Sequence, residues 1–199
     1  YTTAAAAALA HIMYAYRFFP ETFSVSLNIP ESGNGIPDIL NECLYELKWL
    51  LKMQLQDGSV CHKLTSMRHA NFVMPARDER QFILFPASSM ATADFAAVMA
   101  LASRIYTEYD ADFSRTALSA AKRAWSWLES HPEFTGFVNP EECNTGDYAD
   151  TDDRDERLWA AAEMYRAVKD DIYLEEAERF YAELERERTD VVSMGWGNV

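Results

Sequence analysis

SSMATADFAAVMALASRIYTEY (Ser88–Tyr109) and DFSRTALSAAKRAWSWLES (Asp112–Ser130), separated by Asp110 and Ala111 alone, decide the fold class of this chain. In the first stretch Phe95, Val98, Met99, Ala102 and Tyr106 recur at the spacing of one helical face. The second is rich in helix formers, and His131-Pro132 closes it, because the residue before a proline is pushed out of helical geometry. A link this short makes the two helices antiparallel neighbours. Downstream the pattern repeats: helices over Asp155–Val168 and Ile172–Arg188 flank Lys169-Asp170-Asp171. Upstream lie a helix over Thr2–Phe18 and another from Pro37 to Gln56. The latter carries Ile39, Leu40, Cys43, Leu44, Leu47, Leu50 and Leu51 on one broad face and ends before the turn signal Asp57-Gly58. No segment shows convincing two-residue alternation. About 30 residues join the second helix to the third and about 24 the fourth to the fifth. Loops of that length in a compact domain are usually functional. The expectation is an all-α helical toroid of hairpins, of which six helices are about half.

Composition narrows the partners. The 199 residues hold 18 Lys and Arg against 32 Asp and Glu, a net charge of −14. That excludes a nucleic-acid binder, which needs basic surface to neutralise phosphates. It also disfavours a polybasic contact with anionic lipid. No apolar run is long enough for a membrane span. Residues 147–190 carry 16 acidic and 7 basic side chains, much of it a solvated helix face of Glu and Arg at pairing distance. YTTAAAAALA has neither the basic nor the Leu-rich part of a signal peptide and resembles the inside of a helix; SMGWGNV ends without a terminator. Both ends are therefore expected to be cut from a longer protein.

Three constellations could carry chemistry. In Glu31–Glu42, ESGNGIPDILNE, the glycines flanking Asn34 permit positive φ and Pro37 opens a helix whose early carboxylates favour its dipole. Cys43, Cys61 and His62 form a sulfur, sulfur, nitrogen set suited to tetrahedral zinc; buried thiols beside one exposed histidine are the alternative. Thr145–Glu156 gathers carboxylates and carbonyls of the kind hard calcium takes, without EF-hand spacing; a helix start capped by aspartates is the alternative. Asp155 and Glu156 are adjacent on a helix and point apart, which makes them a poor general acid and base. No phosphate loop, G-x-S-x-G or H-E-x-x-H pattern occurs.

These blocks resemble, in order, the catalytic module of glycoside hydrolase family 9, above all its bacterial endoglucanases. ESGNGIPDILNE is followed by LKMQLQDGSVCHK (Leu51–Lys63), FVMP (Phe72–Pro75), SSMATADFAAVMALASRIY (Ser88–Tyr106) and AAKRAWSWLESHP (Ala120–Pro132). GDYAD (Gly146–Asp150) and DERLWAAAEMYRA (Asp155–Ala167) complete the series. The resemblance implies an (α/α)6 barrel, with residues 1–199 a partial module truncated at both ends. It further implies inverting hydrolysis of β-1,4-glucan, cellulose or a related β-glucan polysaccharide, in a cleft. The family's base lies in a D-A-G-D-Y-G-K-Y-type motif whose last tyrosine Tyr1 resembles, and its acid lies far beyond Val199. No catalytic residue is therefore expected in this chain; the missing N- and C-terminal parts of the module would supply them. A non-catalytic glucan-binding or interaction module on the same toroid is the alternative.

By resemblance, His62 lies beside the substrate-binding subsites or is drawn into a metal site. Cys43, Cys61 and His62 match the ligands of a structural zinc whose fourth ligand is a histidine in an S-T-H-A-T block. Here that block is Ser88-Ser89-Met90-Ala91-Thr92, so Met90 takes the place, and a thioether is a poor zinc ligand. His69 or water would have to complete the site. Gly146, Asp150, Asp155 and Glu156 match the family's calcium loop, with Asn198 of Trp196-Gly197-Asn198-Val199 replacing an aspartate. Such enzymes meet polymeric substrate outside the cell, so a secreted, periplasmic or cell-surface location is implied. Five tryptophans and ten tyrosines suit sugar stacking, although most fall at core spacing.

Overall fold

A computed structural model describes residues 1–187 of the chain. The helices are α1 (Thr2–Phe18), α2 (Asp38–Leu50), α3 (Ser89–Ile105), α4 (Ala111–Ser130), α5 (Arg154–Val168) and α6 (Asp171–Glu187). Helix α3 is the centre. It packs on α4 behind it and on α1 and α5 at its flanks, and α6 returns along α5. All but one of its residues are buried, because its alanines let the neighbouring backbones approach from every side. The core adds Leu9 and Met13 of α1, Leu40, Leu47 and Leu50 of α2, Trp125 and Leu128 of α4 and Met164 of α5.

The two short links form as expected. Asp110 caps α4, its side chain accepting from Phe113 N at 2.9 Å. Lys169 ends α5 in the left-handed region, with φ at 63°, and its N–H bonds the Tyr165 carbonyl. Arg157 on α5 closes the other end of α4. Its guanidinium donates to the Leu128 and His131 carbonyls at 3.2 and 2.9 Å and pairs with Asp153 at 3.0 Å. The Leu128 carbonyl also accepts the capping bond from His131 N at 3.2 Å, and the cation adds a second bond there and favours the dipole at this C-terminus.

The long connections gather at the end where α1, α3 and α5 begin, and they are less structureless than the sequence suggests. Between α2 and α3, β1 (Leu64–Thr65) pairs antiparallel with β2 (Ile83–Leu84), Leu64 opposite Leu84 and Thr65 opposite Ile83. Two-residue strands are too short to show alternation, and flanking bonds hold them: His62 N to the Pro86 carbonyl at 2.9 Å and Phe85 N to the Lys63 carbonyl at 2.9 Å. Helix α2 also stops earlier than expected, passing through a 3-10 turn at Leu51–Met53. Residues 54–58 instead turn against α4: Gln54 Nε2 donates to the Ala120 carbonyl at 3.0 Å, and Gly58 has φ of 99°. A Cβ on Gly58 would lie 2.4 Å from the Arg123 carbonyl oxygen, so this contact admits only glycine.

The ESGNGIPDILNE block becomes a hydrogen-bonded knot rather than a solvated helix start. Gly33 and Gly35 take the anticipated positive φ, at 88° and 93°. The Asp38 carboxylate accepts from Leu27 N and Ser32 Oγ, both at 2.6 Å, and these bonds hold its carboxyl below the usual carboxylate range. Asn34 and Asn41 exchange amide bonds at 3.0 and 3.2 Å.

Candidate functional site

Cys61, His62 and Lys63 dock the start of the chain. Thr2 N donates to the His62 carbonyl at 3.0 Å, and Thr2 Oγ1 to the Cys61 carbonyl at 2.6 Å. The His62 ring stacks on Phe137, centroids 4.2 Å apart, and is only 1 % exposed. Its Nε2 lies 2.7 Å from the Asp147 carbonyl, which can only accept, so Nε2 carries the proton. Nδ1 then accepts from the Ser88 hydroxyl at 2.8 Å, whose oxygen also caps α3 by accepting from Ala91 N at 3.2 Å. Burial, helped by the neighbouring Lys63 charge, depresses the imidazole pKa to about 4 in spite of the Asp147 carbonyl.

In this geometry both ring nitrogens of His62 are engaged, by Asp147 and by Ser88. A ring so covered meets protein rather than glucan, and with one nitrogen protonated and the other bonded it has no lone pair for zinc. The rest of the zinc set does not fit either. Burial pushes the Cys43 thiol up to about 12 and also raises Cys61. Met90 is sealed in the core, and His69 is exposed on a loop whose backbone bonds Asn144. All three cysteines are free and buried.

Lys63, also fully buried, organises the loop before α5. Its Nζ donates to Asn139 Oδ1 at 2.6 Å and to the Gly146 carbonyl at 2.7 Å, and it lies 4.6 and 5.1 Å from the Phe85 and Phe137 ring centroids. Burial lowers its pKa, while the Cys143 thiol and Asp147 raise it. The Gly146 carbonyl expected on calcium is therefore held by an ammonium group. Asp150 accepts from the N–H of Thr151 next to it, at the surface. Asn198 and Trp196 lie outside the described residues, as does Arg188, the expected end of the last helix. Of the expected calcium set, the described residues bring together only Asp155 and Glu156, in the first turn of α5.

Glu156 meets a carboxylate that sequence reasoning missed, Asp94 of α3. Glu156 is 1 % exposed and Asp94 0 %, and all four of their side-chain oxygens lack a hydrogen-bond partner. Burial pushes the Glu156 carboxyl up to about 11, with the charges of Asp94 and Asp155 adding to the effect. Asp94 is raised for the same reasons, burial first and then Asp155. The signal was present: Asp94 is the one acidic residue in ATADFAAVMALA. A cavity of about 220 Å³ lined by Ala10, His11, Tyr14, Asp155, Glu156 and Trp159 opens on the Glu156 side. Among the described residues no three His, Cys, Asp or Glu side chains converge where they could hold a metal by themselves. The oxygen-only donors and their unmet hydrogen bonds suit a hard cation whose other ligands are backbone or water. Sealed from a polysaccharide, the pair cannot serve as its catalytic acid and base.

The tryptophans seen here are structural first. Trp125 and Trp127 are buried, and Trp127 stacks on His131 at 4.2 Å. Glu163 of α5, also buried, ties three helices together through Arg104, Arg166 and Tyr14. No helix among the described residues is long and apolar enough to cross a membrane.

Comparison with known proteins accounts for this arrangement. The chain is 41 % identical to a cellodextrinase of Butyrivibrio fibrisolvens, matching over all of its own length and 37 % of that protein's. It is 40 % identical to a xyloglucan-specific endo-β-1,4-glucanase of Bacteroides ovatus, over 92 % of this chain and 32 % of that one. The structure superposes on a solved family 9 glycoside hydrolase of Bacteroides ovatus with a TM-score of 0.89 at 36 % identity, again covering all of this chain and 37 % of the other. The chain thus spans little more than a third of the relatives it matches, and its hairpins are part of their (α/α)6 barrel. Since the profile of glycosyl hydrolase family 9 matches residues 1–199, from the docked Tyr1 through all six helices, the chain belongs to that family.

Proposed function

We propose that this chain is the scaffold-bearing part of an inverting endo-β-1,4-glucanase acting on cellulose or a related β-glucan. The observation that carries this reading is the match to a cellodextrinase over all of this chain and to an endo-β-1,4-glucanase over 92 % of it, at about 40 % identity. Inversion needs a carboxylic acid and a carboxylate base roughly 6.5–9.5 Å apart with a water between them. Here Asp94 and Glu156 are buried away from substrate, and Asp153 and Glu163 are buried and paired with arginine. The catalytic aspartate and glutamate are accordingly assigned outside residues 1–199.

Within the module these residues hold the wall of the cleft. Cys61–Lys63 anchor the segment leading into Tyr1, and Lys63 sets the loop that leads to α5. Calcium is the cation we assign to the first turn of α5; it supplies no chemistry to the reaction and would fix that turn. Its support is the buried Glu156 carboxylate with unmet oxygens. Hydrolysis of a polymeric glucan places the enzyme outside the cytoplasm.

Reducing-sugar release from carboxymethylcellulose, xyloglucan and cellodextrins tests the reading. The whole protein should hydrolyse at least one of them, and residues 1–199 alone none. Turnover by residues 1–199 would overturn the placement of the catalytic groups. Glucan binding without hydrolysis by the whole protein would identify a non-catalytic module instead.

A further inference from the structure

The β1–β2 hairpin spends its polar groups on its own frame and leaves its apolar ones in solvent. Arg80 donates to Ser66 Oγ and to the Arg68 carbonyl, both at 2.8 Å, and pairs with Asp78 at 2.5 Å. The loop before α5 braces the base: Asn144 N donates to the Met67 carbonyl at 2.9 Å, and Asn144 Oδ1 accepts from His69 N at 3.1 Å. Ile83 of β2 packs inward on the cluster of Phe85, Phe137 and Cys143. Its neighbours Phe82 and Leu84 point the other way, 61 and 48 % exposed, as alternation along a strand requires. Farther along the loop Phe72, Val73 and Met74 also stand in solvent. Large apolar side chains held out on a braced loop mark a binding surface.

The position of the hairpin says what meets it. β1 begins one residue after Lys63, whose carbonyl accepts from Phe85 N at 2.9 Å, and the adjacent His62 carbonyl holds Thr2 N at 3.0 Å. The root of the hairpin therefore adjoins the segment leading into Tyr1, which by resemblance the catalytic aspartate precedes. The hairpin leads into α3, the centre of the described wall, whereas the remaining helices of the barrel join at the flanks. A neutral sugar polymer suits its chemistry. The hydroxyls of β-linked glucose are equatorial, so each ring offers C–H faces to an aromatic side chain.

We infer that the β1–β2 hairpin is a glucan platform at the side of the cleft, on which Phe72 and Phe82 stack against glucose rings of a chain held by the reacting site. This rests on the β-glucanase reading and adds to it a preference for chain length. A polymer reaches both the reacting site and the hairpin, and a short cellodextrin reaches only the first.

Kinetics of the whole protein on carboxymethylcellulose and on cellotriose test this. Phe72→Ala and Phe82→Ala should each raise KM on the polymer about threefold to tenfold, with kcat and the melting temperature unchanged. Turnover of cellotriose should stay at the wild-type level. Phe72→Trp should keep the wild-type KM, and Phe72→Leu, apolar but without a ring, should resemble Phe72→Ala. Wild-type KM on the polymer in both alanine variants would sink the platform and leave the β-glucanase reading standing. So would equal losses on both substrates, which would put the effect at the reacting site. A lowered melting temperature with unchanged KM would show that the rest of the protein covers the hairpin, and would overturn the inference. If the whole protein binds glucan without hydrolysing it, retardation in native gels containing xyloglucan reads the same variants. Neither turnover nor retardation of wild type would sink the β-glucanase reading itself.

Discussion

His62 holds its proton on Nε2 because the Asp147 carbonyl can only accept, and its Nδ1 is met by a hydroxyl already oriented by the cap of α3. A second proton would have to displace Ser88 in a site closed to water. With a folded pKa of about 4 against an ordinary 6.5, the unfolded chain takes up this proton first. The contribution to stability is therefore complete above pH 6.5 and is lost as pH falls towards 4. NMR titration of the His62 ring in the whole protein should give a midpoint near 4; a midpoint near 6.5 would mean a solvated ring and reject the packing on Phe137. The sequence could pair His62 with Cys61 and Cys43 only by type and order. What it could not show was that both ring nitrogens are spent on Ser88 and Asp147, distant along the chain.

At the scale of elements, α3 and α4 were legible because a stripe at helical spacing and a link of two residues depend on nothing far away. The end of α2 was not. Leu51–Gln56 is compatible with further helix, but Gln54 finds the Ala120 carbonyl and Gly58 presses on Arg123. Gly58→Ala places a Cβ into that carbonyl and strains a φ of 99°, so we expect a loss of about 2 kcal/mol or more, read as a lower midpoint in urea unfolding. An unchanged midpoint would show that the turn does not bear on α4. The strands β1 and β2 escaped for a related reason: four residues carry no periodicity, and their pairing follows from Lys63 and Phe85 being brought together.

Across the whole molecule, the hairpins form an open wall. Phe18, Phe19, Val25 and Leu27, on and after α1, keep large apolar side chains in solvent, and Phe72 is fully exposed on the loop between β1 and β2. Phe18, Phe19, Val25 and Leu27 are close in sequence, and an exposed apolar patch marks a surface that meets other protein or a ligand. Residues 1–199 alone should therefore bind an apolar dye such as anilinonaphthalene sulfonate strongly, and the whole protein weakly. Equal dye binding by both would show that the rest of the protein does not cover these faces.

The sequence by itself determined the helices, their antiparallel pairing and the family, because periodicity, link length and ordered motifs are local properties of the chain. Only the tertiary structure decided which polar groups meet: Lys63 with the Gly146 carbonyl, His62 with Asp147, Asp94 with Glu156. Each such pair joins segments far apart in the chain. Burial then determines whether a carboxylate is solvated, protonated or bound to an ion, and burial belongs to the packed helices rather than to any one of them.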